Sequence, residues 1–333
     1  MIHVSDIIPW SVKPFSLRPF RGFYSFNPSI HFDGKIWRCV MRNCDYNARG
    51  GNYQVRNGRI ITRNVMVVFS DNDLGDFKYY EMRELDNLIR YPTYESGYED
   101  MRLFCTKSDG LVGVATTAQL RVETQQEIVI CYFDNEYNIV KTKPLRGEWS
   151  GYAQKNWAPY EGLAEIKLLY SIDRGITYPK MIYVPDITIK SSDEVVEYRK
   201  HNRGGVDTVV FSKPRANVHV PYVKKHDWTS PGLRGGSQLN NVGDGLWLGI
   251  GHEMEFRNKM KYYWHRFYLV NDDGKKVGES DNFKLADCGI EFASGMGLNQ
   301  DRAVISYGTE DMDSWFGFTS LSAIMETIKP CKI

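Results

Sequence analysis

The chain has 333 residues, of which 42% are hydrophobic and 25% charged, enough apolar material for a large packed core. Lys and Arg number 42 against 41 Asp and Glu, so the net charge of +1 gives no global attraction to nucleic acid or to a membrane. No apolar run approaches the roughly 20 residues of a membrane span, and the first residues lack the basic and apolar regions of a signal peptide. A soluble cytoplasmic protein forming one domain over 1–333 is the expectation. The six cysteines are scattered without CxxC spacing or a partnering His pair, and read as reduced thiols rather than metal ligands.

In chain order, apolar runs are short, often alternate, and stop at Gly, Asn or Asp, which is the pattern of strands and tight turns. Val65–Phe69, Glu127–Phe133 and Ala303–Tyr307 are the clearest strands; the one persuasive helix runs from Ser320 to Ile328, before Pro330. Five times a polar cluster leads into a strand, a tight turn and a second strand. The clusters begin at Asn27-Pro28-Ser29, Glu99-Asp100-Met101-Arg102, Lys155-Asn156-Trp157-Ala158-Pro159, Arg234-Gly235-Gly236-Ser237 and Glu291-Phe292-Ala293-Ser294. They stand roughly 56 to 80 residues apart, room for a four-stranded blade and its loops. The expected fold is all-β: a five-bladed β-propeller with a short terminal helical segment. Its inner strands would bring the five clusters together at one end of the axis.

These clusters, with Gly251-His252 and Tyr307-Gly308-Thr309-Glu310-Asp311, resemble in order the propeller enzymes of glycoside hydrolase family 130, the inverting mannoside phosphorylases, and the related β-1,2-mannosyltransferases. Met101 and Gln238 stand where that family usually has proline. Ile290–Gly295 looks more like a branch that accompanies polysaccharide-type glycosyltransferases. The resemblance implies a glycosyltransferase or glycoside phosphorylase needing no cofactor or metal. Its donor would be a sugar 1-phosphate, a nucleotide sugar, or a glycoside cleaved by phosphate. Asp100 would be the catalytic acid/base, with a pKa that Glu99 raises and Arg102 lowers. Lys155, Arg234 and His252 would clamp phosphate, helped by the amides of Gly235-Gly236, with Arg102, Tyr263 and His265 as weaker candidates. Asn27, Glu99, Asn156, Trp157, Tyr160, Glu291 and Asp311 would contact sugar, Glu291 or Asp311 serving as a second carboxylate if water is the nucleophile.

Charge is unevenly placed. Residues 35–63 hold seven Lys/Arg against Asp45 alone, and 199–225 hold seven against Asp207 alone. These basic loops, near 42–63 and 199–226, would face an anionic polymer, polysaccharide or DNA. That leaves two other readings: a phage-type glycosyltransferase acting on hydroxymethylated cytosine in DNA, and a non-catalytic glycan-binding propeller. No phosphate-loop, GxSxG or HExxH motif competes with them.

Overall fold

A computed structural model describes residues 2–48, 54–55, 58–121, 125–146, 154–161, 166–173, 176–177, 196–202, 205–211, 232–257 and 260–331. Almost all regular structure is strand. Blade 1 is built from Tyr24–Phe32, Trp37–Cys44, Ile60–Phe69 and Phe77–Glu81. Blade 2 has Glu99–Thr106, Gly110–Thr117, Glu127–Phe133 and Ile139–Pro144. Blade 3 has three described strands, Ala158–Glu161, Ile166–Ser171 and Ile176–Thr177. In blade 4, Arg234–Gly235 and Asn240–Gly243 both pair with Leu246–Arg257, which is followed by Met260–Asn271 and Lys276–Glu279. Blade 5 comprises Glu291–Asn299, Arg302–Thr309 and Asp313–Ser320, and its outer strand is Ser11–Phe15 from the start of the chain. Neighbouring blades touch all the way round, and the first and fifth meet through Tyr24–Phe32 and Glu291–Asn299. Borrowing an N-terminal strand closes the ring with backbone hydrogen bonds.

The blades are buried on both faces, which explains the unbroken apolar run at Val65–Phe69. Val65, Val67 and Phe69 pack toward blade 5 with Phe15, Val304 and Phe316, while Met66 packs toward blade 2 with Met101 and Leu103. A period of two therefore supplies two interfaces from one strand. The axis is filled with polar side chains that tie blades together. Ser29 accepts from the Leu103 amide at 3.2 Å, and Ser306 accepts from the Ile30 amide at 3.0 Å. Gln238, fully buried, donates to the carbonyls of Ile30 at 2.7 Å and Met296 at 2.8 Å, joining blade 4 to blades 1 and 5. The residue that departs from the family's proline is thus an interblade tie here.

The C-terminal helix is Leu321–Thr327, its first turn capped by Ser320, whose hydroxyl accepts from the Ala323 amide at 3.1 Å. All six cysteines are free. Among the described residues no helix is long and apolar enough to cross a membrane.

Candidate active site

The polar clusters acquire their geometry from a repeated backbone device. Asn27, Asp100 and Asn156 all have left-handed φ values, 49°, 45° and 62°. The pairing register slips at Asn27-Pro28 in blade 1 and at Asp100-Met101 in blade 2, as it does at Ser294 in blade 5. Such a bulge turns one side chain out of the strand's alternation, and Asn and Asp tolerate that conformation better than other non-glycine residues. Gly308 makes room for the first of them: a Cβ there would come within 2.4 Å of the Asn27 side-chain oxygen.

The bulged side chains open into a cleft of about 840 Å³ at one end of the axis. Blade 1 contributes Asn27 and Arg42, blade 2 Glu99 and Asp100, and the segment leading into blade 3 Lys155 and Asn156. Arg234, His252 and Tyr263 come from blade 4, and Asp311 from a hairpin of blade 5. Asn27 Nδ2 donates to Asp100 Oδ1 at 3.0 Å, and Arg42 Nη1 donates to the same oxygen at 2.9 Å. The Arg42 Nη2 lies 3.6 Å from Glu99 Oε2, which itself holds Lys155 Nζ at 2.9 Å. His252 packs edge-on against Phe292, centroids 4.9 Å apart, and 5.7 Å from Tyr263.

Charge states in the cleft differ from the sequence expectation. Burial alone would raise the Asp100 pKa, but Arg42, then Arg102 and the Asn27 hydrogen bond, outweigh it and hold the carboxyl well below the usual range. Asp100 is therefore ionised in the free protein, with Arg42 rather than Glu99 deciding the matter. Asp311 goes the other way: burial, opposed by Arg42 and reinforced by Asp100, pushes it up to about 6. Burial keeps His252 neutral, its pKa well below 6.5, with His265 and Arg234 adding to the effect.

A consequence for stability follows from Asp311. Its carboxyl titrates near 3.8 when exposed and near 6 in the fold, so the native state alone holds this proton between those values. Stability therefore falls as pH rises through that window and stays reduced above it. Asp311→Asn should raise stability at pH 7.5 by up to about 3 kcal/mol and leave it unchanged at pH 3.5. Thermal melts at the two pH values measure this, and an equal gain at both would show that Asp311 is not the titrating group.

Several expectations need correcting. Trp157 is not on the cleft: it is 1% exposed in the core between blades 2 and 3, its indole N–H donating to Gln154 at 3.1 Å. Tyr160 is likewise core, against Trp247. Glu291 is fully buried and accepts from the amides of Leu285 and Ala286 at 2.9 and 2.8 Å, beside His265 at 3.4 Å. The carboxylate opening the fifth inner strand thus holds a turn closed, and neither it nor His265 lines the cleft. Gly235 and Gly236 serve packing: a Cβ on Gly235 would meet that of Ala158 at 2.5 Å, and the Gly236 amide donates to Ile250 O. Arg102 lies under the floor rather than on it, donating to Asp100 O, Gly236 O and Asn156 Oδ1 at 2.6, 2.8 and 3.0 Å. Burial draws its pKa down to about 10.

Arg42, Tyr46, Glu95, Lys261 and Phe292 line the cleft without having been expected there. For Arg42 a signal existed: it sits in Trp37–Cys44, whose neighbours Val40, Met41 and Cys44 are all buried, and a charge inside such a strand needs a buried partner. Reading it as one of a run of surface cations hid that. Arg38, from the same run, pairs with Asp33; of the segment expected as a basic loop near 199–226, residues 199–202 and 205–211 belong instead to two antiparallel strands, Val196–Asn202 and Gly205–Phe211, and the rest lies outside the described residues.

Fold and cleft together define a β-propeller with a polar site at the mouth of its axis. No protein-family model matches the chain, and no curated protein sequence does. Solved structures do. A β-1,2-mannobiose phosphorylase from Listeria innocua, in complex with β-1,2-mannobiose, superposes with a TM-score of 0.52 at 12% identity, covering 95% of this chain and 99% of that one. A structure described under the GH130 family of mannoside phosphorylases, with glycoside hydrolases targeting β-1,2 mannosidic linkages in Candida mannan, gives 0.50 at 15% identity over 90% and 85%. A glycosyl hydrolase from Bacteroides ovatus gives 0.50 at 14% over 93% and 86%. The chain is structurally similar to the GH130 mannoside phosphorylases across about nine-tenths of its length, at low sequence identity.

Proposed function

We propose that the protein is an inverting glycosyl-transfer enzyme of the glycoside phosphorylase type, moving a sugar between a phosphate-bearing donor and a hydroxyl acceptor in the axial cleft. The observation that carries this reading is a set of buried polar atoms on the cleft lining with no hydrogen-bond partner in the protein: Asn27 Oδ1, Arg42 Nε and His252 Nδ1. Buried polar groups are normally satisfied, and sugar hydroxyls or phosphate oxygens would complete these. Asn27 Oδ1 accepts from a hydroxyl; Arg42 Nε donates. Neutral His252 holds or accepts one proton according to its tautomer.

In the synthetic direction ionised Asp100 takes the proton of the acceptor hydroxyl as that oxygen bonds to the anomeric carbon and the bond to phosphate breaks. Arg234 and Lys261 supply positive charge for the departing phosphate. Lys155 is already engaged by Glu99, so an incoming phosphate must compete for it. In the breakdown direction phosphate attacks the anomeric carbon and the leaving oxygen takes its proton back from Asp100, the same transfer in reverse. Asp311, whose environment favours the protonated form up to about pH 6, is a further carboxyl on the cleft.

Thermal-shift titration with inorganic phosphate, sugar 1-phosphates and nucleotide sugars tests the reading on wild type and Arg234→Ala. A ligand at 100 times its Kd stabilises by about 2.7 kcal/mol, and the variant should lose most of that. Stabilisation by phosphate or a sugar 1-phosphate supports a phosphorylase site, and by a nucleotide sugar alone a transferase. If no phosphate-bearing ligand stabilises the protein, the clamp is wrong and a glycan-binding propeller is the better account.

A further inference from the structure

Beside the cleft, blade 1 carries a surface that the cleft chemistry does not use. Arg18, Arg21, Arg59 and Arg63 are all exposed, and none is ion-paired among the described residues. Arg63 is nonetheless held in place: its guanidinium carbon lies 5.1 Å from the Phe20 ring centre and 5.4 Å from that of Phe23. Those two rings meet edge to face at 5.7 Å. Asp45, the only carboxylate in residues 35–63, is buried and accepts from the Ile61 amide at 2.8 Å, so it does not offset the patch.

The sheet brings these groups together. Arg63 pairs with Asn43, and Asn43 with Ser25, so Arg63 stands two strands across from the chain that leads out of Phe20–Phe23. Arg59 precedes Ile60, which lines the cleft and donates its amide to Tyr94 O at 2.7 Å. Tyr94, 45% exposed, lines the cleft as well. A track of arginines and aromatic rings is thus anchored where Arg63 meets Phe20 and Phe23, and Arg59, four residues before Arg63, leads into Ile60 at the cleft, beside Tyr94 and Glu95.

We propose that this track binds a single-stranded nucleic acid. All four cations are arginine, whose planar fork suits phosphate oxygens and whose face stacks on rings. Alternating rings and cations are what a single strand needs, a π-face for bases and charge for the backbone. An acidic polysaccharide would offer those rings puckered C–H faces rather than flat bases, and the test below separates the two. The inference is independent of the glycosyl-transfer reading, since binding is measured without any sugar.

Fluorescence anisotropy with a labelled oligothymidylate of about twenty nucleotides is the test. Neutralising three or four phosphates should weaken binding about 20- to 50-fold between 50 and 200 mM salt. Arg18→Glu with Arg21→Glu should cost at least tenfold with an unchanged melting temperature, because both side chains are exposed. Phe23→Ala should weaken binding several-fold without any change of charge, and Arg63→Lys likewise. Wild-type binding no tighter than that of the double charge reversal overturns the proposal. So does a heparin fragment that binds while the oligonucleotide does not compete, which would make the surface a polysaccharide site.

Discussion

Replacing Arg42 with methionine should destabilise the protein by about 3–5 kcal/mol near pH 8, the usual cost of removing one partner from a buried ion pair. Arg42 is 5% exposed and stands between Glu99 and Asp100, and it is the leading influence holding the Asp100 pKa down. Methionine keeps much of the volume that packs on Phe26 and Tyr46 but removes the charge. Glu99 would retain Lys155, whereas Asp100 would be left with the buried Arg102 and the amide of Asn27. In the wild type the depressed Asp100 pKa contributes stability above its unfolded value, lost only in strong acid. Without Arg42, burial lifts that pKa, the native carboxyl takes up a proton, and the contribution disappears. The loss should therefore be larger at pH 8 than at pH 4.5. Urea melts at both pH values decide it, and a variant within 1 kcal/mol of wild type at pH 8 would show that the Arg42 charge is not what holds the cleft together.

Asp100→Asn should lower turnover of the donor found by titration by about 10²–10⁴-fold, the range a positioned acid/base contributes. Asparagine keeps the shape and still accepts from Asn27 and Arg42 through its oxygen, so donor binding should survive. The pairing of lost turnover with retained thermal shift separates catalysis from binding. A glycan-binding propeller would show no turnover to lose, and an enzyme whose variant stays within tenfold of wild type must take its proton elsewhere. Asp311, the carboxyl pushed up to about 6, would be the group to test next, through loss of a pH inflection near that value in Asp311→Asn.

How much of this was legible beforehand depends on the range of the interaction concerned. Strands were readable because alternation and turn residues are local: Glu127–Phe133 emerged with its expected bounds, and Leu321–Thr327 lies within the expected helix. The polar clusters were readable because a left-handed backbone position favours Asn or Asp, and Asn27, Asp100 and Asn156 each occupy one. Trp157 and Glu291 share those clusters yet face away from the cleft. Adjacent residues in a strand point to opposite sides, and position within a motif does not say which side is solvent.

By itself, then, the amino-acid order determined an all-β ring of repeated units and named some of the side chains that meet at its axis. Both rest on contacts a few residues long, repeated down the chain. Only the tertiary structure decided which carboxyl is ionised, which arginine is buried, and which glycines serve packing rather than ligand. Arg42 and Asp100 are 58 residues apart in sequence yet share a 2.9 Å bond, and the Asp311 carboxyl owes its raised pKa to burial by elements from across the ring. Charge state is set by whatever surrounds a group in space, and that neighbourhood does not exist until the blades have closed.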